Sequence, residues 1–497
     1  MFVAIKQAIR TFFVLCPKRG RGFLALLLFL APPLLGNTPE NTELPLLGDH
    51  TSSIVAPEKE KELGQSWLRA LRAQAPLLND PFVLNYLQAI THRLASKSDL
   101  TNQQLDLVIV DSPAINAFAV PGGIIGANAG LFLHAQTEGE LSGVLAHELA
   151  HLSQRHFART IEEAKKNQWI HGAAILASVL LIATSNSESG YAALATTQAA
   201  AVQSQLRYSR RNEQEADRIA IGTLVNANID PTSIGSFFQR MQKAYQYSGQ
   251  KPPEYLLTHP VTESRVSEAK DRAAQYKSRY YPEGSDFYLI KARIETQYTR
   301  DLQNAITRHY TQLETSPTLQ QLMTRYRLVM LLNKAQRFKE AETELLKLSH
   351  MFPNNLLLQI SQAELKMAAK DNGAAIQILT PLNKIYPDHY VITLLYCQAL
   401  LYQKNGTQAL PLLEHIKAFY PNSPDIWDLL VQAYGYNGDI ISVHLARAEQ
   451  LYLKGASDKA IEQLQFARAL VDHDFPLQAK IETRIQQIES SDKNLKL

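Results

Sequence analysis

The chain has 497 residues, enough for two or three domains, each with its own core. Hydrophobic residues make up 45% and charged residues 20%, an ordinary globular composition that excludes a disordered or fibrous chain. The formal charge of +3 is small for this length, and with no basic face or recognition motif beside it, it points to no nucleic-acid partner.

The first element is apolar and short. Lys18, Arg19 and Arg21 precede the block Phe23 to Leu30, which exits through Ala31-Pro32-Pro33-Leu34-Leu35-Gly36. Basic residues, about 8–14 apolar ones and a helix-breaking exit form a secretory signal, so residues 1–36 are read as a signal peptide and the protein as exported. The block falls short of the roughly 20 apolar residues of a spanning helix. Leu34 fits the small-x-small cleavage rule poorly, which leaves an uncleaved anchor as the alternative. Of the two cysteines, Cys16 lies in this signal, so the mature chain keeps Cys397 alone and forms no internal disulfide.

Residues 37–55 are polar and Pro-containing, a tether. From Glu58 to Ser96 the apolar spacing is helical, with Asp80-Pro81 marking a turn and a new helix start. Leu105 to Val110 alternates as a strand. Two short apolar runs then flank Pro121-Gly122-Gly123, from Ile115 to Gly126, and predict a hairpin or bulged strand pair. Such strands form a small sheet beside the site, whose edge either takes a substrate peptide as an added strand or is a plain core hairpin.

Next comes Leu145-Ala146-His147-Glu148-Leu149-Ala150-His151-Leu152, an H-E-x-x-H motif in a helix-forming run. Four residues advance a helix by about 400°, so His147 and His151 stack within about 40° on one face. Two imidazoles so placed bind one zinc ion, and Glu148 serves as the base acting on water. His156, five residues beyond His151, falls about 140° round the same helix and points away. Trp169 to Ala183 is nearly all apolar but short for a bilayer span. It predicts a buried helix near the site, with peripheral membrane contact as the alternative. Ala192 to Val202 reads as an Ala-rich helix.

A catalytic zinc needs a third protein ligand, and the acidic helical stretch Arg211 to Arg218 offers three carboxylates. Glu213 and Asp217 share a face, whereas Glu215 lies about 200° from Glu213. If Asp217 faces the site as the carboxylate that orients a histidine, Glu213 faces it too, which favours Glu213 over Glu215 as the ligand. The alternative is that all three are solvated surface charges.

From about residue 317 the sequence becomes continuous amphipathic helix. Pro353, Pro387 and Pro421 recur every 34 residues, and so do Ala341, Ala375 and Ala409. A small residue where two helices cross, followed by a proline ending the second, at this period, is the tetratricopeptide pattern. Asp458-Lys459-Ala460 reads as a further copy out of phase, 51 residues beyond Ala409. No single helix pair buries its apolar face, so several stack into a solenoid that presents a groove to partner proteins.

His147-Glu148-x-x-His151 with Glu213-x-x-x-Asp217, preceded by Asn116-Ala117-Phe118 and Pro121-Gly122-Gly123, resembles the HtpX/CAAX-protease type of zinc metallopeptidase. With its signal and repeats, the whole chain is similar to the periplasmic members of that type that promote β-barrel assembly. The resemblance implies an α+β zinc metallopeptidase domain, helix-rich with a small sheet beside the active-site helix (residues 37–290), followed by an all-α tetratricopeptide solenoid (291–497). It implies one Zn2+ per chain and an endopeptidase of the Gram-negative periplasm that degrades misassembled outer-membrane β-barrel proteins. Its implied partners are these polypeptide substrates and the barrel-assembly machinery, met through the repeats. In Leu257-Thr258-His259-Pro260, the resemblance makes His259 a fourth zinc ligand on a movable plug, which would displace the nucleophilic water and hold the site off. Arg265 matches the same motif, with either a substrate-carboxylate or a salt-bridge role. The metal set is then His147, His151, Glu213 and His259, with Glu148 and Asp217 as the catalytic pair. The competing reading is a non-proteolytic periplasmic chaperone or scaffold with a structural zinc site.

Overall fold

The computed structural model describes residues 56–163, 180, 210–248, 254–277, 279–282, 284–313 and 318–495. The expected signal, the Ala192–Val202 helix and all but one residue of the Trp169–Ala183 segment lie outside the described residues. Two helices open the described chain, α1 (Pro57–Gln74) and α2 (Pro81–Ala95). Asp80 caps α2, its Oδ1 accepting from the amides of Phe82 and Val83 at 2.9 and 3.3 Å, and Pro81 supplies the preset first-turn φ.

A three-stranded sheet follows: β1 (Asp106–Val110), β2 (Ala117–Val120) and β3 (Ile124–Asn128), in the order β1-β3-β2. The β2–β3 pair is the expected hairpin, antiparallel with Ala117 opposite Ala127 and Val120 opposite Ile124. Gly122 and Gly123 both take positive φ, 84° and 86°, which a turn this tight asks of its residues and only glycine adopts cheaply. Strand β1 runs parallel to β3. Its outer edge is covered by the Pro76–Leu78 stretch, through Leu78 N to Ile109 O and Asp111 N to Pro76 O. Among the described residues β2 pairs on one side only, leaving an edge.

The sheet and α3 (Ala129–His134) lead into α4 (Glu138–Ser153), which is buried continuously from Gly139 to His151. A helix buried all round is the central element of its core, and α4 is packed by α2, β2, α6 (Arg210–Asn226) and α7 (Thr232–Ser248). Thr137 caps its start, accepting from Glu140 N at 3.2 Å, and Glu140 reaches back to Gln136 N. After Ser153 the helix stops, Arg155 turns through φ 49°, and α5 (His156–Glu163) sets off in a new direction. Helices α8 (Glu254–Thr258) and α9 (Glu263–Ala273) close the site from the far side, and α10 (Ser285–Gln297) leads to the repeats.

After α11 (Leu302–Leu313) and α12 (Thr318–Lys334), the helices settle into register. Helices α13 (Phe338–Met351), α15 (Asn372–Ile385), α17 (Gly406–Phe419) and α19 (Ile440–Leu453) start 34 residues apart, as do α14 (Leu356–Ala368), α16 (Tyr390–Tyr402) and α18 (Pro424–Tyr436). The same turn recurs between them. Gln336, Lys370, Lys404 and Gly438 are all left-handed, and Asp371, Asn405 and Asp439 each cap the next helix through a side-chain oxygen. Ala341, Ala375 and Ala409 are fully buried where helices cross. Ala460 lies in α20 (Ser457–Leu470), and 51 residues is one and a half periods, so that copy falls on the opposite helix of its pair.

The final helix, α21 (Phe475–Leu495), returns to α1. Arg69 of α1 donates to Ser491 Oγ at 2.6 Å, and Arg69 and Arg484 both stack on the Tyr452 ring. Gly455, at φ 78°, lets the Arg69 carbonyl approach to where a Cβ would stand 2.5 Å away. One hydrophobic cluster runs from Phe82 and Leu87 through Leu145 and Phe238 to Leu379, Leu400 and Leu430, so peptidase and repeats share a core. Among the described residues no helix is long and apolar enough to cross a membrane.

Candidate metal centre

On α4, the i, i+4 spacing puts both imidazoles of the motif on one face, with the Nε2 atoms of His147 and His151 3.0 Å apart. Glu213 comes from α6, the helix packed along α4. Its oxygens lie 3.5 Å from His147 Nε2 and 3.4 Å from His151 Nε2. His259 follows α8, whose last turn holds it through His259 N to Tyr255 O at 2.8 Å. Its Nδ1 stands 3.3 Å from His147 Nε2 and 3.0 Å from Glu213 Oε1. All four residues are buried, and their ligand atoms lie within 4.8 Å of one another.

The separations given, 3.0–3.5 Å, are close to the edges of a tetrahedron around a metal. Bonds of about 2.0–2.2 Å to a central zinc put neighbouring donor atoms roughly 3.3–3.5 Å apart. Three imidazole nitrogens and a carboxylate facing one another are short of protons to share, and burying them together is costly unless a cation sits between. Both the chemistry and the spacing of the donor set therefore fit zinc.

The surroundings hold these candidate ligands in place. Asp217, one turn beyond Glu213, places Oδ1 2.9 Å from His147 Nδ1. Arg265 on α9 holds Asp217 with two bonds, from Nε at 2.7 Å and from the terminal nitrogen Nη2 at 2.8 Å, while Nη1 lies 2.7 Å from Glu213 and donates to Pro260 O at 2.9 Å. Arg265 is itself buried, which makes it a structural clamp on the ligand set. Burial alone would lower the His147 pKa, but Asp217 and Glu213 raise it to about 9. His151, buried with weaker compensation from Glu213, is held well below its ordinary value. Burial pushes Glu213 up, and the surrounding histidines more than reverse that, leaving it well below the usual carboxylate range.

Glu148 stands apart from the ligands. It is buried, with His259 Nε2 3.5 Å from Oε1 and the Ala119 backbone of β2 as a further hydrogen-bonding neighbour. Burial raises its pKa, with His259 and His147 opposing.

On one continuous helix His156 would point away from the site, and the structure differs. The break at Arg155 swings His156 back, so that its Nδ1 lies 2.8 Å from His151 Nδ1. It lies outside the four-residue donor set and stands behind the His151 ring. Glu215, on the other face of α6, meets His156 Nε2 at 3.3 Å and accepts from Arg159 at 2.9 Å. No periodicity signals a left-handed turn at an arginine, so the sequence carried no sign of this contact.

Residues 83–273 match the model for Peptidase family M48, and residues 366–433 match a tetratricopeptide repeat. The chain is 32% identical to the beta-barrel assembly-enhancing protease of Yersinia pestis, covering 91% of this chain and 93% of that one. It is 30% identical to the protein of the same name in Escherichia coli strain K12, covering 91% and 92%. Over 38% of its length it is also 30% identical to the mitochondrial metalloendopeptidase OMA1 of Arabidopsis thaliana, covering 36% of that protein. The protein is a zinc metallopeptidase with a helix-rich α+β catalytic region followed by tetratricopeptide repeats. Because the likeness runs the length of both chains, it belongs to the beta-barrel assembly-enhancing protease family.

Proposed function

We propose that this protein is a periplasmic endopeptidase of a Gram-negative bacterium, cutting outer-membrane β-barrel polypeptides that have failed to assemble and meeting the barrel-assembly machinery through its repeats. The names of its relatives and the repeat array support that substrate class and partner. In this reading residues 1–36 are the export signal, 37–290 the peptidase domain and 291–497 the repeat domain.

His147, His151 and Glu213 hold the metal, which when bound supplies a Lewis acid for the scissile carbonyl and the attacking water. Glu148 takes the proton of that water and delivers it to the leaving amine. The substrate strand lies along the β2 edge. Asp217 holds the His147 ring, and Arg265 holds Asp217. His259 supplies a fourth donor where the water belongs, so the resting site is off. Its helix is pinned by Tyr255 N donating to Ile115 O at 3.1 Å, just ahead of the strand edge the substrate needs.

The observation that carries the catalytic reading is Glu148. A buried carboxylate beside the donor set, its pKa raised by burial, is costly and useless to a structural zinc site, but it is what a proton carrier needs. The non-proteolytic scaffold gives it no task. The test is to incubate the zinc-loaded protein with an unfolded outer-membrane barrel polypeptide and follow fragments by mass spectrometry. Glu148→Gln is expected to carry the same zinc and melt at the same temperature while producing no fragments; undiminished cleavage by that variant would overturn the assignment.

A further inference from the structure

The histidines on α4 are supported unequally. His147 is backed by one link, Asp217 Oδ1 at 2.9 Å from its Nδ1, with Arg265 clamping the carboxylate. At the same place on His151 the described neighbour is an imidazole. Its Nδ1 faces His156 Nδ1 at 2.8 Å, the two rings meeting edge to face at 4.8 Å between centroids. His156 Nε2 in turn faces Glu215 Oε2 at 3.3 Å, and that oxygen accepts from Arg159 at 2.9 Å. His156 is fully buried, and α6 supplies the terminal carboxylate of both chains.

We propose that His156, oriented by Glu215 and Arg159, is the positioning residue for the second zinc-binding histidine. The inference rests on the zinc reading above. If His151 offers its Nε2 lone pair to the metal, its ring proton sits on Nδ1 and needs an acceptor there. His156 Nδ1 is that acceptor only when the His156 proton sits on Nε2, and Glu215 is placed to accept it. One assignment of protons therefore fits each of these contacts, and it leaves His151 Nε2 to face the metal position. The left-handed turn at Arg155 has a purpose in this light, because a continued helix would carry His156 about 140° away from His151.

The test uses the full-length protein, stripped of metal and titrated with zinc against a chromophoric chelator. Cobalt is titrated in parallel for its visible absorption, and the apo-protein is melted as a control for folding. The parent is expected to bind one zinc; failure there overturns the zinc reading itself. His156→Phe keeps a buried ring without the acceptor and is expected to weaken zinc about 10- to 100-fold and shift the cobalt spectrum, with little change in apo-protein melting. His156→Asn, which returns an oxygen near the Nδ1 position, is expected to recover most of that loss. Zinc affinity for His156→Phe within about twofold of the parent overturns the proposal. Should His156→Phe lose its cooperative melt, Glu215→Gln decides: weakened zinc binding supports the chain, and unchanged affinity and cobalt spectrum overturn it.

Discussion

At the scale of single residues, the centre is built from charges that would be unaffordable apart. Arg265 is buried between Asp217 and Glu213, and removing one member of such a set leaves the others uncompensated. Arg265→Ala is therefore expected to cost about 3–5 kcal/mol in denaturant unfolding of the apo-protein, whereas a loss below about 1 kcal/mol would show that the clamp carries no weight. His147 gives a pH prediction. Its pKa of about 9 in the metal-free site means that it is protonated at pH 7, and zinc must displace that proton. Zinc affinity should rise with pH until about 9 and then level off, and calorimetry in buffers of different ionisation enthalpy should find proton release on binding at pH 7; no release would contradict it. Much of this was legible beforehand. Helical spacing brought His147 to His151 and separated Glu213 and Asp217 from Glu215. The same spacing misplaced His156, because it presumes that the helix goes on.

Elements set what can move. Helix α4 is capped and buried throughout, so the two histidines and Glu148 sit on a rigid frame. Helix α8 is five residues long, tied at its start to Ile115 and stopped by Pro260 after His259. A helix this short has little stability of its own, which would suit the proposed displaceable ligand. His259→Ala is expected to raise cleavage of an unfolded barrel substrate and of the protein itself; lower zinc occupancy with flat activity would make His259 an ordinary ligand. The hairpin around Pro121-Gly122-Gly123 and the start at Asp80-Pro81 were readable, because turn residues act locally. Helix α8 was not readable, since five residues show no period and tertiary contacts alone hold it.

For the whole molecule, the 34-residue beat exposed the repeats, since each pair must repeat the same buried alanine and the same turn. The joint between repeats and peptidase is a different matter. Arg293 on α10 is buried where it bonds Asp80, the cap of α2, at 2.9 Å, Tyr326 of α12 at 3.0 Å and Glu364 of α14 at 2.7 Å, over the face of Phe82. Those partners are scattered over nearly 300 residues, and no local pattern joins them. With a shared core, the described chain should unfold as one unit. Arg293→Ala should split that transition in calorimetry, the repeats and peptidase melting apart; one undivided transition at the parental temperature would show that the joint does not depend on it.

The central claim is that four residues from three separate stretches hold one zinc, the fourth of them removable. X-ray absorption or a crystal structure of the zinc-loaded protein tests it directly. The expected result is a single zinc bound at about 2.0–2.2 Å by His147, His151, Glu213 and His259, with Glu148 beside it and unbound. A zinc coordinated by Glu148, or one that leaves His259 unbound in the resting protein, would contradict the account.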